Sequence, residues 1–308
     1  MDAKRPILLI AGGAHSDIPM ILAARKLGFQ VVTSGNRPED PGHRYADRTE
    51  FCDYSDASAL LKLARELCPV AICPAANDFA AISAAKVALE LRLPGHDHPQ
   101  TTEILHHKDR WREFALQENI PSPKAVGCTS QSEAEAACAQ LNFPLLAKPV
   151  DLTGGRGISL IEHPHQATQR IRHALNTSKA KRIVIEEFIT GTRHGFTCIL
   201  RNRQPAFWMA DNEHYHLSPW LVSGASTPSS MPASAIDELL NITARIAARL
   251  QLVDGIFHSQ IILTPQQKPV IVEICRRPPG DLYVDLVSHA AGVPYPEWIV
   301  KGFAGMDL

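Results

Sequence analysis

Apolar positions in the first hundred residues fall into two alternating rhythms. Three short uncharged runs, PILLIAGG (6–13), FQVVTSGN (29–36) and VAICPAAN (70–77), read as buried strands. IPMILAARKLG, ending at Gly28, SDASALLKLARELC, and DFAAISAAKVALELRLPG, closed by Pro94 and Gly95, carry the helical period instead. The resulting β-α-β-α-β-α alternation predicts a doubly wound parallel α/β sheet over residues 1–98. GGAHSD does not complete G-x-G-x-x-G, so a tight turn and a phosphate cradle are equally good readings of it. Ligands of such sheets gather beyond the carboxyl ends of the strands. Gly12 to Ser16, Asn36 with Arg37, and Asn77 with Asp78 all follow strands, so they are candidates for one cleft.

The pattern changes after HHKDRWREFALQENIPSP. SQSEAEAACAQLN is helical, FPLLAKPV and GISLIEH are strands, QATQRIRHALN is a helix and RIVIEEFI a strand, predicting a small α+β unit over residues 115–187. A third region, residues 99–114 with 188–308, holds the strands GFTCILR and QPAFWMA, the loop DNEHYHLSPWLVSGASTPSS, the helix SAIDELLNITARIAARL and a hairpin, IFHSQIIL–TPQQKP–VIVEIC.

Composition narrows the class without naming a chemistry. A chain of 308 residues with 45% apolar and 20% charged positions is an ordinary globular protein. A net charge of −1 gives no general attraction to nucleic acid or to an acidic membrane. No apolar run approaches membrane length, and the start has no secretory pattern. Seven cysteines without a C-x-x-C pair suit reduced thiols, so the expected location is cytoplasmic. Most of the fourteen histidines read as solvated loop or edge residues; His214 and His216 are retained as candidate substrate contacts.

Three segments carry candidate chemistry. In KPVDLTGGRGISL a lysine ends a strand and TGGRG leads to the next; glycines admit phosphates to backbone N–H groups, and Lys148 and Arg156 add charge. A glycine-rich turn is the plainer reading, and the missing G-K-[ST] excludes a Walker A loop. VIEEFITG places two acids at a strand end, compatible with a solvated edge or a site. In the hairpin, a turn at Gln266–Gln267 sets Gln260 opposite Glu273 and His258 opposite Cys275, with Val270, Val272 and Ile274 on the other face. Glu273 then needs a partner, either a bound Mg²⁺ or Arg276 or Arg277, because an unpaired buried carboxylate is costly. Pro278 and Pro279 follow, and Asp281 is placed to cap the helix DLYVDLVSHAAG, where a preceding arginine suits a carboxylate or phosphate.

In their order these segments resemble the ATP-grasp superfamily of ATP-dependent carboxylate–amine or carboxylate–thiol ligases, closest to its carbamoyl-phosphate-synthase-like and biotin-carboxylase-like branch. The resemblance runs through the lead domain, LHHKDRWREFA, AKPVDLTGGRGISL, VIEEFITG, FHSQIIL and VIVEICRRPPGD. It implies an ATP-grasp fold behind an N-terminal α/β domain, with ATP and Mg²⁺ and with small-molecule carboxylate and amine substrates. It also implies phosphate contacts from Lys108 and Lys148, and a closing loop at Thr153, Gly154, Gly155, Arg156 and Gly157. Glu186, Glu187, Phe188 and Ile189 would be the adenine hinge, Glu273 a magnesium ligand, and Arg277 the γ-phosphate or acyl-phosphate contact. Three positions depart from the family pattern. Gln260 and Cys275 stand where acid and asparagine metal ligands are usual, and Arg193 stands where an acid often holds the ribose. Arg276, Asp281, His214, Arg37 and Asn77 are the substrate candidates, with Trp220 beside them. A homodimer is the default assembly. Two other outcomes carry weight: a nucleotide-binding protein without turnover, and a phosphotransferase that stops at phosphoryl transfer.

Overall fold

The computed structural model describes residues 5–308. Its first sheet is parallel, in the order β3-β2-β1-β4, from β1 (Ile7–Ala11), β2 (Gln30–Ser34), β3 (Arg48–Thr49) and β4 (Ala71–Pro74). The uncharged runs are buried on both faces, as a parallel sheet requires. Leu8 and Ile10 of β1 pack with Met20 and Ile21 of α1 (Ile18–Lys26). Leu9 and Ala11 point the other way, into α2 (Ala57–Leu67) and α3 (Asp78–Leu91) through Leu60, Ala64 and Val87. Asp56 caps α2 and Asn77 caps α3 through side-chain acceptors, so both helices start where polar residues follow the loops.

Helices α4 (Pro99–His106) and α5 (Lys108–Gln117) lead to a second, antiparallel sheet ordered β5-β8-β6-β7. It comprises β5 (Ala125–Cys128), β6 (Leu145–Pro149), β7 (Ser159–Ile161) and β8 (Ile183–Glu187), backed by α6 (Gln131–Cys138) and α7 (Ala167–Thr177). The third sheet runs β11-β10-β9-β12-β13 and is antiparallel throughout. Its strands are β9 (Thr192–Arg201), β10 (Gln204–His214), β11 (Gly224–Ser226), β12 (Gly255–Leu263) and β13 (Pro269–Cys275), with α8 (Ala233–Arg249) across one face. The chain returns to the first sheet through α9 (Tyr283–Ala291) and α10 (Tyr295–Phe303). One apolar core runs from Leu8 and Met20 through Val284 and Ile299 to Ile199 and Ile256, so the first and third sheets share their packing.

The β12–β13 hairpin has the predicted pairs, His258 with Cys275 and Gln260 with Glu273, but for a different reason. The loop spans Thr264 to Lys268, closed by the Thr264 N–H donating to the Lys268 carbonyl at 3.0 Å, with Gln267 at φ +59°. That shifts the pairing near the turn by one residue, to Leu263 with Pro269. An irregularity beside Gln260 shifts it back, leaving Val272 as the extra residue. The expectation that Val270 and Val272 share the face of Ile274 is therefore corrected. Ile271 and Ile274 enter the core, while Val272 joins Glu273 in lining a cleft. No helix among the described residues is long and apolar enough to cross a membrane, and the seven cysteines are unbridged.

Candidate active site

The second and third sheets, with Ala76 and Asp78 beyond the end of β4, contribute to one cleft of about 430 Å³, within the size range of small-molecule sites. Its far wall comes from the second sheet. Lys148 on β6 and Glu186 on β8 are buried neighbours in adjacent strands, and their side chains form an ion pair. Arg112 of α5 completes the group by donating Nε and Nη2 to the same carboxylate at 3.1 and 2.9 Å. Its Nη1 donates to the Val272 carbonyl at 2.7 Å, tying the second sheet to the bulge of the third. Burial alone would raise the Glu186 pKa, but Arg112 and Lys148 outweigh it and hold it down at about 2. Arg112 was missed in the sequence because it lies on an amphipathic helix, where an arginine usually faces water. Glu187 accepts from Asn142 through Oε1 and lines the cleft together with Phe188 and Ile189.

The near wall is built on a charged relay between the first and third regions. Arg277 donates Nε to Asp78 at 2.9 Å, and Asp78 also accepts from His106 Nδ1 at 2.8 Å. The Arg276 N–H donates to His106 Nε2 at 3.3 Å, which places the imidazole proton on Nδ1. Burial opposes ionisation of Asp78, yet Arg277 and His106 prevail and keep its carboxyl far below the usual range. His106 is thus a buried structural histidine, not the solvated loop residue expected. Arg276 is also corrected. Its guanidinium is buried on Asp97 (Nε to Oδ2, 2.7 Å) and on the Val253 and Ile256 carbonyls, and it does not line the cleft. Arg277 does line it, and among the described residues its Nη2 bonds to no protein acceptor.

The floor is the hairpin. Glu273 is partly exposed, with Oε1 3.7 Å from Lys108 Nζ, and Lys108 also donates to the Leu152 carbonyl at 3.2 Å. Gln260 uses its Nε2 to donate to Glu213 at 3.0 Å, leaving its oxygen available. Cys275 is buried, and burial pushes its thiol far above the usual range, so the soft thiol is a poor ligand for a hard cation. Among the described residues no three His, Cys, Asp or Glu side chains are arranged to hold a metal by themselves.

The roof is the glycine loop against the 211–230 segment. Thr153, Gly154 and Gly155 line the cleft, and a Cβ on Gly155, at φ +72°, would lie 2.5 Å from the Trp220 Cβ. Only glycine permits that approach. Arg156 and Gly157 lie outside the lining; Arg156 is exposed and donates to the Thr153 carbonyl at 3.2 Å. Arg193 lines the cleft with its guanidinium 4.2 Å from the Tyr215 ring centre, a cation–π contact, and donates to the Pro219 carbonyl. The remaining substrate candidates divide. Asp281 lines the cleft and accepts from the Tyr283 N–H at 3.0 Å. His214 stacks on His216 and pairs with Ser226, Arg37 is exposed, and Asn77 is spent on capping α3, so none of these three lines it.

Sequence reading did not anticipate the acid-lined end of the cleft. Asp211 pairs with Gly195 on β9, which pairs with Gln260, so these positions form one row across the sheet. A Cβ on Gly195 would lie 2.3 Å from Asp211 Oδ1, so the glycine makes room for this carboxyl. Tyr283 donates its hydroxyl to Asp211 at 2.7 Å, and Tyr215 donates to Glu213 at 2.5 Å. Burial raises both acids, Asp211 to about 6 and Glu213 to about 7. The folded state therefore binds the Asp211 proton more tightly than the unfolded chain. The stability this confers is complete below the unfolded pKa of about 4 and is lost as pH rises through the folded value. The protein is expected to lose about 2–3 kcal/mol of stability from this residue between about pH 4 and pH 8, with Glu213, Asp281 and Tyr283 as its neighbours. Urea denaturation of wild type and Asp211→Asn across that range checks it; an unchanged pH slope in the variant contradicts it.

With this geometry in view, likeness to known proteins becomes informative. Residues 107–219 match the family model for the phosphoribosylglycinamide synthetase ATP-grasp (A) domain. A formate-dependent phosphoribosylglycinamide formyltransferase of Prochlorococcus marinus is 27% identical over 185 residues, covering 59% of this chain and 47% of that protein. The chain spans about half the length of such relatives. Among solved structures, the biotin carboxylase domain of Hydrogenobacter thermophilus 2-oxoglutarate carboxylase superposes with a TM-score of 0.83 at 18% identity, covering 99% of this chain and 71% of that one. An L-amino acid ligase from Bacillus licheniformis does so with a TM-score of 0.79 at 18% identity, covering 98% and 75%. Residues 107–219 thus match an ATP-grasp domain, and the chain as a whole has the ATP-grasp fold.

Proposed function

We propose that the chain is an ATP-dependent ligase that activates a small-molecule carboxylate as an acyl phosphate, forming ADP, and passes the acyl group to an amine. The observation that carries this reading is the convergence of Lys108, Lys148, the Thr153–Gly155 loop, Glu273 and Arg277 on a single cleft. Cations and backbone donors on three sides with a carboxylate on the floor suit a triphosphate whose terminal group must be neutralised and held in line. Lys148 and Lys108 are assigned to phosphate oxygens, Phe188 and Ile189 to the adenine edge, and Arg277 Nη2 to the transferred phosphoryl group. The glycine loop and Trp220 exclude water from the acyl phosphate.

The donors present fit magnesium in one way. Mg²⁺ favours one or two protein carboxylates with the rest of its shell from phosphate and water. Glu273 supplies the carboxylate and the Gln260 oxygen a neutral donor, while Cys275 supplies nothing. When bound, the ion would neutralise charge on the phosphates.

Phosphoribosylglycinamide formyltransferase, biotin carboxylase and L-amino acid ligase are the names of the relatives given above, and their likeness supports ligase chemistry here without choosing the acid. The thin metal set, with Gln260 and Cys275 at ligand positions, favours a second reading, nucleotide binding without turnover. The chain incubated with ATP, Mg²⁺ and pooled carboxylates and amines separates the two. ADP release that needs both an acid and an amine is expected. Tight nucleotide binding with no ADP from any pool would leave the second reading standing, and phosphorylated acid formed without amine would mark a phosphotransferase.

A further inference from the structure

The acid-lined end of the cleft carries chemistry that nucleotide binding does not use. Asp211 is fully buried, and its Oδ2 has no hydrogen-bond partner even though Oδ1 is bonded to Tyr283. His258 is 7% exposed, and its Nδ1 is likewise unpartnered. The two groups share one neighbour: the Tyr283 hydroxyl bonds to Asp211 and the Tyr283 ring lies 5.0 Å from the His258 ring at 66°. All three line the cleft. A buried acceptor left unmade costs about 1–3 kcal/mol. Two such groups around one tyrosine, inside a ligand cleft, indicate a site shaped for a donor that the protein itself does not supply.

We propose that this recess binds the cationic amino group of the second substrate, a small primary amine carried in as an alkylammonium ion. The inference rests on the ligase reading for there being a second substrate, but the site stands on its own geometry. An ammonium group offers three donors and one positive charge. Asp211 Oδ2 and the neutral His258 ring provide two acceptors, and the Asp281 carboxylate at the cleft edge adds a second acid beside Asp211. Anionic groups are disfavoured, because Glu213 and Asp281 flank the recess. A divalent metal is a poorer fit, because the Glu213 oxygens are already engaged by Tyr215 and Gln260, leaving too few anionic ligands. The carboxylate substrate then belongs on the Arg277 side, with the amine approaching from β10.

The test is calorimetric titration of the full chain, without nucleotide, using glycinamide as the cationic probe and acetamide as its neutral counterpart. Saturable binding of glycinamide and none of acetamide is expected. Asp211→Asn, which keeps the acceptor for Tyr283 but removes the charge, is expected to weaken glycinamide binding about tenfold or more. His258→Phe, which keeps the ring against Tyr283, is expected to weaken it less. Three results overturn the proposal: equal binding of the two probes, no glycinamide binding, or undiminished affinity in a folded Asp211→Asn protein. MnCl₂ binding that Asp211→Asn abolishes, with no response to glycinamide, would make the recess a metal site and also overturn it. ADP formation enters nowhere in this measurement, so failure of the ligase reading would be seen separately in the ATP assay.

Discussion

Replacing Glu273 with glutamine is expected to reduce acid- and amine-dependent ADP formation by about 10²–10³-fold while leaving the melting temperature within about 3 °C of wild type. The two halves of that expectation come from the same geometry. Glu273 retains a quarter of its side-chain surface, and among the described residues its only ion-pair partner is Lys108 at 3.7 Å. A pair that open to solvent contributes about 0–1 kcal/mol to stability. Its carboxylate is nevertheless the one anionic side chain on the hairpin floor; its neighbours there are Gln260 and Cys275. Removing the charge takes away the anionic anchor proposed for magnesium and leaves the fold intact. Steady-state ADP release together with differential scanning calorimetry checks both halves. Wild-type turnover in a folded Glu273→Gln protein would remove the residue from the proposed metal site.

Glu186→Gln is expected to have the opposite profile, with the largest stability loss of any single cleft substitution. Glu186 is 1% exposed and is the common anion for Lys148 and for Arg112. Neutralising it leaves two buried cations facing each other without a counter-charge. Breaking a buried pair in this way costs about 3–5 kcal/mol, because the remaining charges keep their desolvation penalty. The arginine also holds the Val272 carbonyl, so the loss reaches the bulge that sets Glu273 in the cleft. Since the folded carboxyl titrates at about 2, below its unfolded value, wild type should lose the same contribution as pH falls from about 4.5 through that value. Urea denaturation at neutral pH measures the loss. A midpoint matching wild type would mean that the triad does not hold the second sheet to α5. Nucleotide affinity should fall in the same variant, because Lys148 is released from its fixed position.

Much of the architecture was readable from pattern alone. Uncharged runs such as Leu8–Ala11 and Ala71–Cys73 can only be buried on both faces, and that requires a parallel sheet covered by helices. The lysine-strand-glycine segment and the two acids of VIEEFITG stayed ambiguous residue by residue, and they became specific only in their order along the chain. The pairing of Gln260 with Glu273 was anticipated from an idealised turn, yet it holds only because a five-residue loop and a bulge shift the register in opposite directions.

Local sequence determined which residues form strands, helices and turns here, because side-chain period and turn chemistry act over a few positions. It also determined that lysines, glycines and acids would stand at strand ends. Tertiary structure alone decided what each charge does. Arg276 and Arg277 are neighbours in the chain, yet one is buried on Asp97 and the other faces the cleft from Asp78. Arg112 meets Glu186 across 74 positions, and Tyr283 meets Asp211 across 72. Contacts at such separations have no local signature, because they arise from sheet order and helix docking. The energy of a charge depends on burial and on its partner, and the fold supplies both.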